Sequence, residues 1–159
     1  MLDRLDCRLL ELLQADARCT NADLAAEVGL SVSACAKRIA RFWAEGLIER
    51  TTAVLNRRRF REPVTAAVMV TLSAPKARME EEFAARMAGL EVVQQCHVVT
   101  GDFDYLLIVQ ARTIAEYHDF AQATFGQWST VQTYKTVFLL RTYKNVNRLP
   151  PFCLQLRSE

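Results

Sequence analysis

The sequence predicts an α+β fold made of an N-terminal winged helix-turn-helix module and a C-terminal ferredoxin-like βαββαβ domain. Three observations support this prediction. Apolar residues recur at helical spacing up to about residue 45, and they alternate at strand spacing from Val64 onward. An arginine-rich stretch without an apolar period separates the two patterns and ends in a proline. We therefore expect a helix-turn-helix domain over 1–55, a linker over 56–63, and a ferredoxin-like domain with a C-terminal tail over 64–159.

The first two helices are predicted from their N-terminal caps. Asp3 is a suitable N-cap for a helix that runs to about residue 17, and Asp6 adds a second carboxylate that favours the helix dipole. Thr20 or Asn21 can cap the second helix in the same way. Leucines repeat along one side of the first helix, so we expect that side to be buried.

A third helix is predicted after a tight turn. Gly29 suits the left-handed backbone that ends the second helix, and Ser31 is a good N-cap for the third. We expect this helix to reach Glu45 before Gly46 ends it. Its apolar face is predicted to be buried and consists of Val32, Cys35, Ala36, Ile39, Phe42 and Trp43. Its opposite, outward face carries Ser33, Ala34, Lys37, Arg38 and Arg41.

Charge is unevenly distributed along the chain. The net charge is +2, but residues 28–61 hold eight basic and two acidic residues, a net charge of +6, while the segments before and after them are slightly negative. Contact with DNA phosphates requires such a basic segment, and small residues at a helix start allow close approach to base edges. The sequence therefore predicts binding to double-stranded DNA. The predicted DNA-binding residues are Ser31, Ser33, Ala34, Lys37, Arg38, Arg41 and Arg50.

A small wing and a basic linker are expected after the third helix. Residues 47–56 predict short extended segments that would form the wing. The linker that follows could lie along a DNA backbone, or it could be only a soluble hinge. Its arginines are Arg57, Arg58, Arg59 and Arg61.

The second part of the chain predicts strands and helices in the order βαββαβ, which is the ferredoxin-like arrangement. The turn TGDFD joins the two middle strands, and Thr113 is the expected N-cap of the second helix. In this order one sheet face has no helix to cover it. Apolar side chains on that face would not stay in water, so we expect it to pack on a second copy of the chain. The predicted elements are strand 64–72, a helix with Met79, Phe83, Met87 and Leu90, strands 91–99 and 105–112, a helix with Ile114, Tyr117, Phe120, Ala121 and Phe125, and strand 131–143.

Composition excludes several classes of protein. With 51% hydrophobic and 24% charged residues the chain is typical of a soluble globular protein, and its apolar runs are too short to cross a bilayer. Asp3 and Asp6 lie where a signal peptide would be basic, so we expect a cytoplasmic protein with no membrane partner. The five cysteines, none closely paired, predict reduced and mostly buried thiols rather than disulfides or a zinc knuckle.

Two residue groups that could suggest catalysis or a metal site do not support either. Cys96 and His97 are neighbours on a predicted strand, so their side chains point to opposite faces and cannot share a site. Asp102 and Asp104 have no histidine cluster to complete a metal site, since the chain's two histidines are His97 and His118. We therefore expect no enzymatic activity, no metal and no tightly bound cofactor.

Three segments of the chain resemble the Lrp/AsnC family of bacterial and archaeal transcription regulators, and the resemblance extends over about residues 2–148. Residues 2–18, LDRLDCRLLELLQADAR, resemble the opening helix of the family. Residues 24–48, LAAEVGLSVSACAKRIARFWAEGLI, resemble its helix-turn-helix. Residues 97–109, HVVTGDFDYLLIV, resemble its effector loop.

The chain departs from the family in three places. Val32 occupies a position that is often proline, and Lys37 occupies one where arginine is common. The linker is richer in arginine than is usual. These departures affect the expected DNA sequence preference more than DNA binding itself.

The resemblance implies both a function and an assembly. Family members are DNA-binding regulators that form homodimers through their C-terminal sheets, commonly assemble into octamers, and bind an amino acid or related metabolite between these domains. Amides near Gly101 could hold a carboxylate, and the acidic residues beside it could accept an ammonium group. A strand-to-strand turn of this sequence also forms without any ligand. The implied effector-binding residues are Thr100, Gly101, Asp102, Asp104, Tyr134 and Thr136.

Two other functions are alternatives to DNA-binding regulation. A metabolite sensor or interaction protein could keep this fold without binding DNA, but the positive charge of residues 28–61 argues against it. Haem-pathway decarboxylases resemble the family in architecture. Such an enzyme needs convergent histidines or cations in a porphyrin-sized cavity, which two separated histidines do not supply.

Overall fold

The computed structural model describes residues 2–73 and 77–154, which divide into two compact units. The first unit combines the chain up to Leu55 with the chain from Asn145 onward, and the second comprises residues 56–144. The sequence assignment had placed the whole tail in the second domain. The described part of the tail belongs instead to the first unit, because Leu154 is buried in the core of that unit. Residues 155–159 lie outside the described residues.

The first unit contains the three expected helices. They are α1 (Arg4–Ala15), α2 (Asn21–Val28) and α3 (Val32–Ala44). The expected caps are confirmed: Asp3, Thr20 and Ser31 are the N-caps, and the first two form capping boxes with acidic residues three positions later. Gly29 has the left-handed φ of 69° that ends α2 and turns the chain into α3. α1 ends two residues earlier than expected because Asp16 is extended and binds the Arg18 amide.

The core of the first unit lies between these helices and the tail. Its buried residues are Leu9, Leu10, Leu24, Ala25, Cys35, Phe42 and Leu154. Two residues of the predicted buried face of α3 are exposed instead: Val32 is 52% exposed and Trp43 is 44% exposed. They begin and end the apolar stripe, beyond the region where other helices pack. Residues 48–56 form no strand, so the extended wing segments are not paired in a sheet.

The second unit has the strand and helix order expected from the sequence. After a short 3-10 turn at Arg57–Arg59, its elements are β1 (Val64–Leu72), α4 (Ala77–Ala88), β2 (Val93–Val98), β3 (Tyr105–Ala111), α5 (Ile114–Ala121) and β4 (Val131–Phe138). A π-helical turn over Gln122–Gly126 extends α5. β4 ends five residues before the expected position. Its partner β1 has no residue left to pair there, since Leu139 already binds Thr65 next to the start of β1.

The four strands form one antiparallel sheet in the order β2-β3-β1-β4, which confirms the ferredoxin-like fold. Alternate residues of β1 and β3 are buried beneath the two helices, as the strand periodicity predicted. Phe83 and Met87 of α4 and Tyr117 of α5 fill the space between the layers. Ile114 was expected in this core but is 62% exposed, because it lies in the first turn of α5.

We call the opposite face of the sheet the outer face, and no helix among the described residues of this unit packs on it. The register places Met69 of β1 between Leu106 of β3 and Lys135 of β4. The next row places Ala67 between Ile108 and Val137 in the same way. The centre of the outer face is therefore apolar, and both Lys135 and Val137 lie at its β4 edge.

The cysteines differ from expectation in their burial. All five are free thiols, but only Cys35 is buried. Burial raises the pKa of the Cys35 thiol, as it does that of half-buried Cys96. Cys19 and Cys153 are exposed. The prediction that most of the cysteine thiols are buried was therefore wrong.

Within the described ranges, no helix is long and apolar enough to cross a membrane. The same part of the chain contains no group of three or more His, Cys, Asp or Glu residues that could hold a metal ion.

Candidate DNA-binding face and effector loop

The start of α3 presents small polar groups. The Ser31 hydroxyl accepts a hydrogen bond from the Ala34 amide at 3.2 Å and lies 3.3 Å from the Ser33 hydroxyl. Ser31 therefore caps the helix, while Ser33 is exposed on its outward side and Ala34 is half-buried. A helix that begins with such short side chains can bring its backbone close to base edges.

Lys37 is the cation that α3 leaves exposed at its centre. It makes no ion pair with any residue that the structure describes. Ser33, Ala40 and Ala44 are exposed along the same stripe, at the three- and four-residue spacing of one helix face. The two alanines were not among the residues predicted from the sequence. Their spacing from Lys37 is the sequence signal that places them on this face.

Arg38 and Arg41 point to the start of α1, which the sequence did not predict. Arg38 Nη1 lies 2.6 Å from both Asp3 Oδ2 and Asp6 Oδ1. Arg41 Nη2 lies 2.7 Å from Asp6 Oδ2 as an ion pair, and its Nε lies 3.9 Å from Glu45. The two arginines are thus held by carboxylates of their own unit. A pair of acidic residues at i and i+3 of α1 and a pair of arginines at i and i+3 of α3 were the sequence signal for this contact.

The carboxylates in this cluster are stabilised in their charged form. Burial raises the pKa of Asp6, but the hydrogen bond from the Asp3 amide and the guanidinium groups of Arg38 and Arg41 outweigh it, so this pKa lies below its usual range. The Asp6 amide, followed by Arg38, lowers the pKa of Asp3. The charges therefore remain in place at neutral pH and fix α3 against α1.

Further cations follow α3. Arg50 is exposed, and its Nη1 lies 3.7 Å from Oε1 of Glu49, whose side chain is also exposed. Arg57, Arg59 and Arg61 are also exposed, whereas the Arg58 side chain lies outside the described part of the chain. An exposed pair such as Arg50 and Glu49 contributes little stability, so Arg50 remains available to a phosphate.

The turn between β2 and β3 has the predicted glycine at its tip. Gly101 has a φ of 127°, a conformation that favours glycine, and no atom outside its immediate chain neighbours lies within 4 Å of a Cβ built there. Thr100 and Asp102 are exposed beside it. The tip is therefore open, with one hydroxyl and one carboxylate facing solvent.

Asp104 is less available than the sequence suggested. Its Oδ2 accepts a hydrogen bond from the Leu72 amide at 2.7 Å, and its own amide donates to the Val70 carbonyl at 2.9 Å. The residue thus ties the end of β1 to the turn. One carboxylate oxygen already has a structural partner, which leaves Asp102 as the freer acidic group of the loop.

Tyr134 and Thr136 lie on β4 and face the helices rather than the loop. The Tyr134 ring centroid is 5.3 Å from that of Phe125, and the Thr136 hydroxyl is hydrogen-bonded to the hydroxyl of Tyr117. Burial raises the pKa of Tyr117, so this hydroxyl stays protonated. Within one chain, the structure does not bring these two β4 residues together with the residues of the turn.

Comparison with known protein families matches both units. Residues 2–49 match a winged helix-turn-helix DNA-binding model, and residues 65–149 match the Lrp/AsnC ligand binding domain. The two matches correspond to the three-helix unit and the sheet domain described above.

Individual relatives match almost the whole chain. The leucine-responsive regulatory protein of Haemophilus influenzae is 35% identical over 148 residues, which cover 93% of this chain and 89% of that protein. The Escherichia coli K12 protein of the same name is 34% identical over the same share of this chain and 90% of its own length.

Solved structures agree with the sequence matches. An AsnC family regulator from Agrobacterium tumefaciens superposes with a TM-score of 0.88 at 28% identity, over 97% of this chain and all of that chain. A Neisseria meningitidis transcriptional regulator, solved as an L-Met complex, superposes with a TM-score of 0.86 at 28% identity, over 94% of this chain and 97% of that chain.

Proposed function

Since the chain belongs to the Lrp/AsnC family and is a DNA-binding transcriptional regulator that responds to an amino acid or related metabolite, we propose how its own residues divide this work. Ser33, Ala40 and Lys37 of α3 read base edges. Arg38 and Arg41 position α3 rather than contact DNA. The effector binds at the turn that contains Gly101.

The observation that carries the DNA-binding proposal is the division of the cations of α3 into two sets. Arg38 and Arg41 are committed to Asp3 and Asp6 at 2.6–2.7 Å, whereas Lys37 has no acidic partner among the described residues. A lysine in the major groove can donate to the O6 and N7 atoms of guanine, while alanine methyl groups contact thymine. The exposed arginines after α3 supply sequence-independent phosphate contacts.

We expect Lys37→Ala to weaken binding to the preferred operator by about tenfold and to relax sequence preference, because one base contact is lost. The preferred operator is obtained by selecting duplexes from a random pool with the unaltered protein. Affinity is then measured by fluorescence anisotropy at fixed salt. The thermal midpoint should not change, since Lys37 is exposed and makes no ion pair with the described residues.

Lys144→Ala is the matched control, because it removes the same charge from an exposed position of the other unit. Arg38→Ala is the contrasting variant: it should lower the thermal midpoint, since its partners include buried Asp6. Equal affinity of Lys37→Ala and the unaltered protein for the selected operator would show that α3 reads DNA with another face.

We also propose that the regulator is a homodimer that packs through the outer face. Ala67, Met69, Leu106 and Ile108 form a continuous apolar centre there, and no described helix of the sheet domain covers it. Sheets pack face to face through such surfaces, and a two-fold dimer reads an operator with two related half-sites. Further assembly into octamers would follow from other surfaces of this dimer.

The effector proposal depends on the open turn after β2. In this proposal the amides around Gly101 bind a carboxylate, and Asp102 accepts an ammonium group. These are the two charged groups of an amino acid. The Neisseria relative solved with L-Met binds a ligand of this chemistry. Tyr134 and Thr136 would reach a ligand only through rearrangement or from another copy of the chain.

A thermal-shift screen of the twenty amino acids tests the effector proposal. A ligand that binds only the folded protein raises the unfolding temperature, because it stabilises that state by an amount that grows with the logarithm of its concentration, about 2.7 kcal/mol at one hundred times its Kd. We expect Asp102→Ala to abolish the shift produced by the best ligand. Asp119→Ala, an exposed carboxylate on α5, is the control and should leave the shift intact. A full shift in Asp102→Ala would exclude the role assigned to this residue.

A further inference from the structure

The chain returns from the sheet domain and docks on α1. β4 ends at Phe138, and Leu149 then exchanges two hydrogen bonds with one side chain of α1. The Leu149 amide donates to Gln14 Oε1 at 2.7 Å, and Gln14 Nε2 donates to the Leu149 carbonyl at 3.4 Å. An amide side chain that pairs with both groups of one residue fixes the direction of the tail as well as its position.

Leu154 forms a second anchor. It is only 6% exposed and packs in the same core as Leu9 and Phe42. Its carbonyl oxygen accepts a hydrogen bond from the Cys7 thiol at 3.2 Å. The tail therefore contributes a side chain to the hydrophobic core of the DNA-binding unit. The Leu154 carbonyl also has a hydrogen-bond donor on α1.

The two anchors match the geometry of α1. Cys7 and Gln14 are separated by two helical turns, so they lie on the same side of the helix and about 10 Å apart along its axis. The tail runs in the opposite direction, since Leu149 meets Gln14 and Leu154 meets Cys7. Consecutive prolines and a 3-10 turn at Pro151–Cys153 shorten its path and restrict the free chain. The tail therefore loses little conformational entropy when it docks on α1.

α1 is also the helix that fixes α3. Asp6 of α1 holds Arg38 and Arg41, so a shift of α1 changes the position of the helix that reads DNA. The sheet domain is consequently connected to the DNA-binding unit at both of its ends, through the linker 56–63 and through the returning tail.

We propose that residues 149–154, which we call the strap, position α1 and thereby α3, and that the ligand-binding domain acts on DNA binding through this segment as well as through the linker. The strap is a positioning segment and does not contact DNA. The inference rests on the proposed function in that DNA affinity is one of its two readouts.

Two truncations of the chain test the strap. Ending the chain after Arg148 removes both anchors, whereas ending it after Leu154 retains them. Without the strap, we expect amide hydrogen exchange in α1 to become about tenfold faster and affinity for the selected operator to fall about tenfold, because local opening of α1 becomes easier. The chain that ends after Leu154 should match the full chain in both measurements.

Gln14→Ala provides a milder variant in case the shorter chain does not fold. It removes the Leu149 anchor and keeps Leu154 in the core, so exchange should increase in the C-terminal half of α1 while circular dichroism stays unchanged. Gln132→Ala, an exposed glutamine of β4, is the matched control.

Unchanged exchange of α1 after removal of the strap would overturn the inference. Faster exchange with undiminished operator affinity would also overturn it, since the strap would then stabilise α1 without positioning α3. Failure of the proposed function is distinguishable, because the unaltered full chain itself would then not bind DNA. In that case faster exchange in α3 would still support the positioning role, and unchanged exchange would contradict it.

Discussion

Asp6→Ala is expected to destabilise the DNA-binding unit by about 3 kcal/mol, the lower end of the range for a broken buried ion pair. Asp6 is 1% exposed and pairs with both Arg38 and Arg41. Its removal leaves Arg41 with only Glu45 at 3.9 Å. The cost stays at the lower end because the Arg38 and Arg41 side chains as a whole are 25% and 39% exposed, although Nε and Nη2 of Arg41 are buried. Urea unfolding followed by Trp43 fluorescence, in a Trp128→Phe background, measures the effect in this unit.

Asp23→Ala is the matched control for this measurement. Asp23 has the same position in α2 that Asp6 has in α1, and its Oδ2 accepts a hydrogen bond from the Thr20 amide at 3.0 Å, but no arginine in the described part of the chain pairs with it. Loss of this capping interaction should cost about 1 kcal/mol. If Asp6→Ala costs no more than Asp23→Ala, the two arginine pairs contribute nothing and the assigned role of Asp6 is wrong.

The effect of Asp6 should depend on pH with a defined sign. Its pKa in the folded protein is lowered, because the interactions with Asp3, Arg38 and Arg41 outweigh burial. A carboxylate of this kind adds stability that is complete above its unfolded pKa and is lost as the pH falls through the folded pKa. The unaltered protein and Asp6→Ala should therefore differ most near neutral pH and converge below about pH 4.

Much of the fold could be predicted because local signals agree with the tertiary structure. Asp3, Thr20, Ser31 and Thr113 cap helices where expected, since a cap depends on residues within one turn. The period-two pattern of β1 correctly identified its buried face. The end of β4 was misplaced because it depends on the length of a partner strand that is distant in sequence.

The site was harder to predict because a charge pattern does not identify the partner of each charge. Arg38 and Arg41 fit a DNA-binding face as well as Lys37 does, and only the position of α1 shows that they pair with Asp6. Asp104 likewise has the chemistry of an effector ligand, yet it binds the Leu72 amide. Long-range pairing thus determines which polar residues remain available to a ligand.

Ile108→Asp is expected to convert the dimer into a monomer and to weaken binding to a duplex with two half-sites by about 10²–10⁴-fold. The side chain lies in the apolar centre of the outer face, between Ala67 and Gln95 of the neighbouring strands. A carboxylate there would be buried without a partner at the contact between two copies. Analytical ultracentrifugation measures the assembly, and titrations with single and paired half-sites measure binding.

Ile114→Asp is the control, because it makes the same substitution at an isoleucine that is exposed in the first turn of α5. It should remain dimeric and bind paired half-sites normally, since a carboxylate near a helix N-terminus is favourable. A dimeric Ile108→Asp would show that the outer face is not the interface. A monomer that binds paired half-sites as tightly as the unaltered protein would contradict two-fold reading. The expected result is a loss of affinity for paired half-sites with unchanged affinity for a single half-site. That result would mean that the sheet domain contributes to DNA binding by joining two recognition helices.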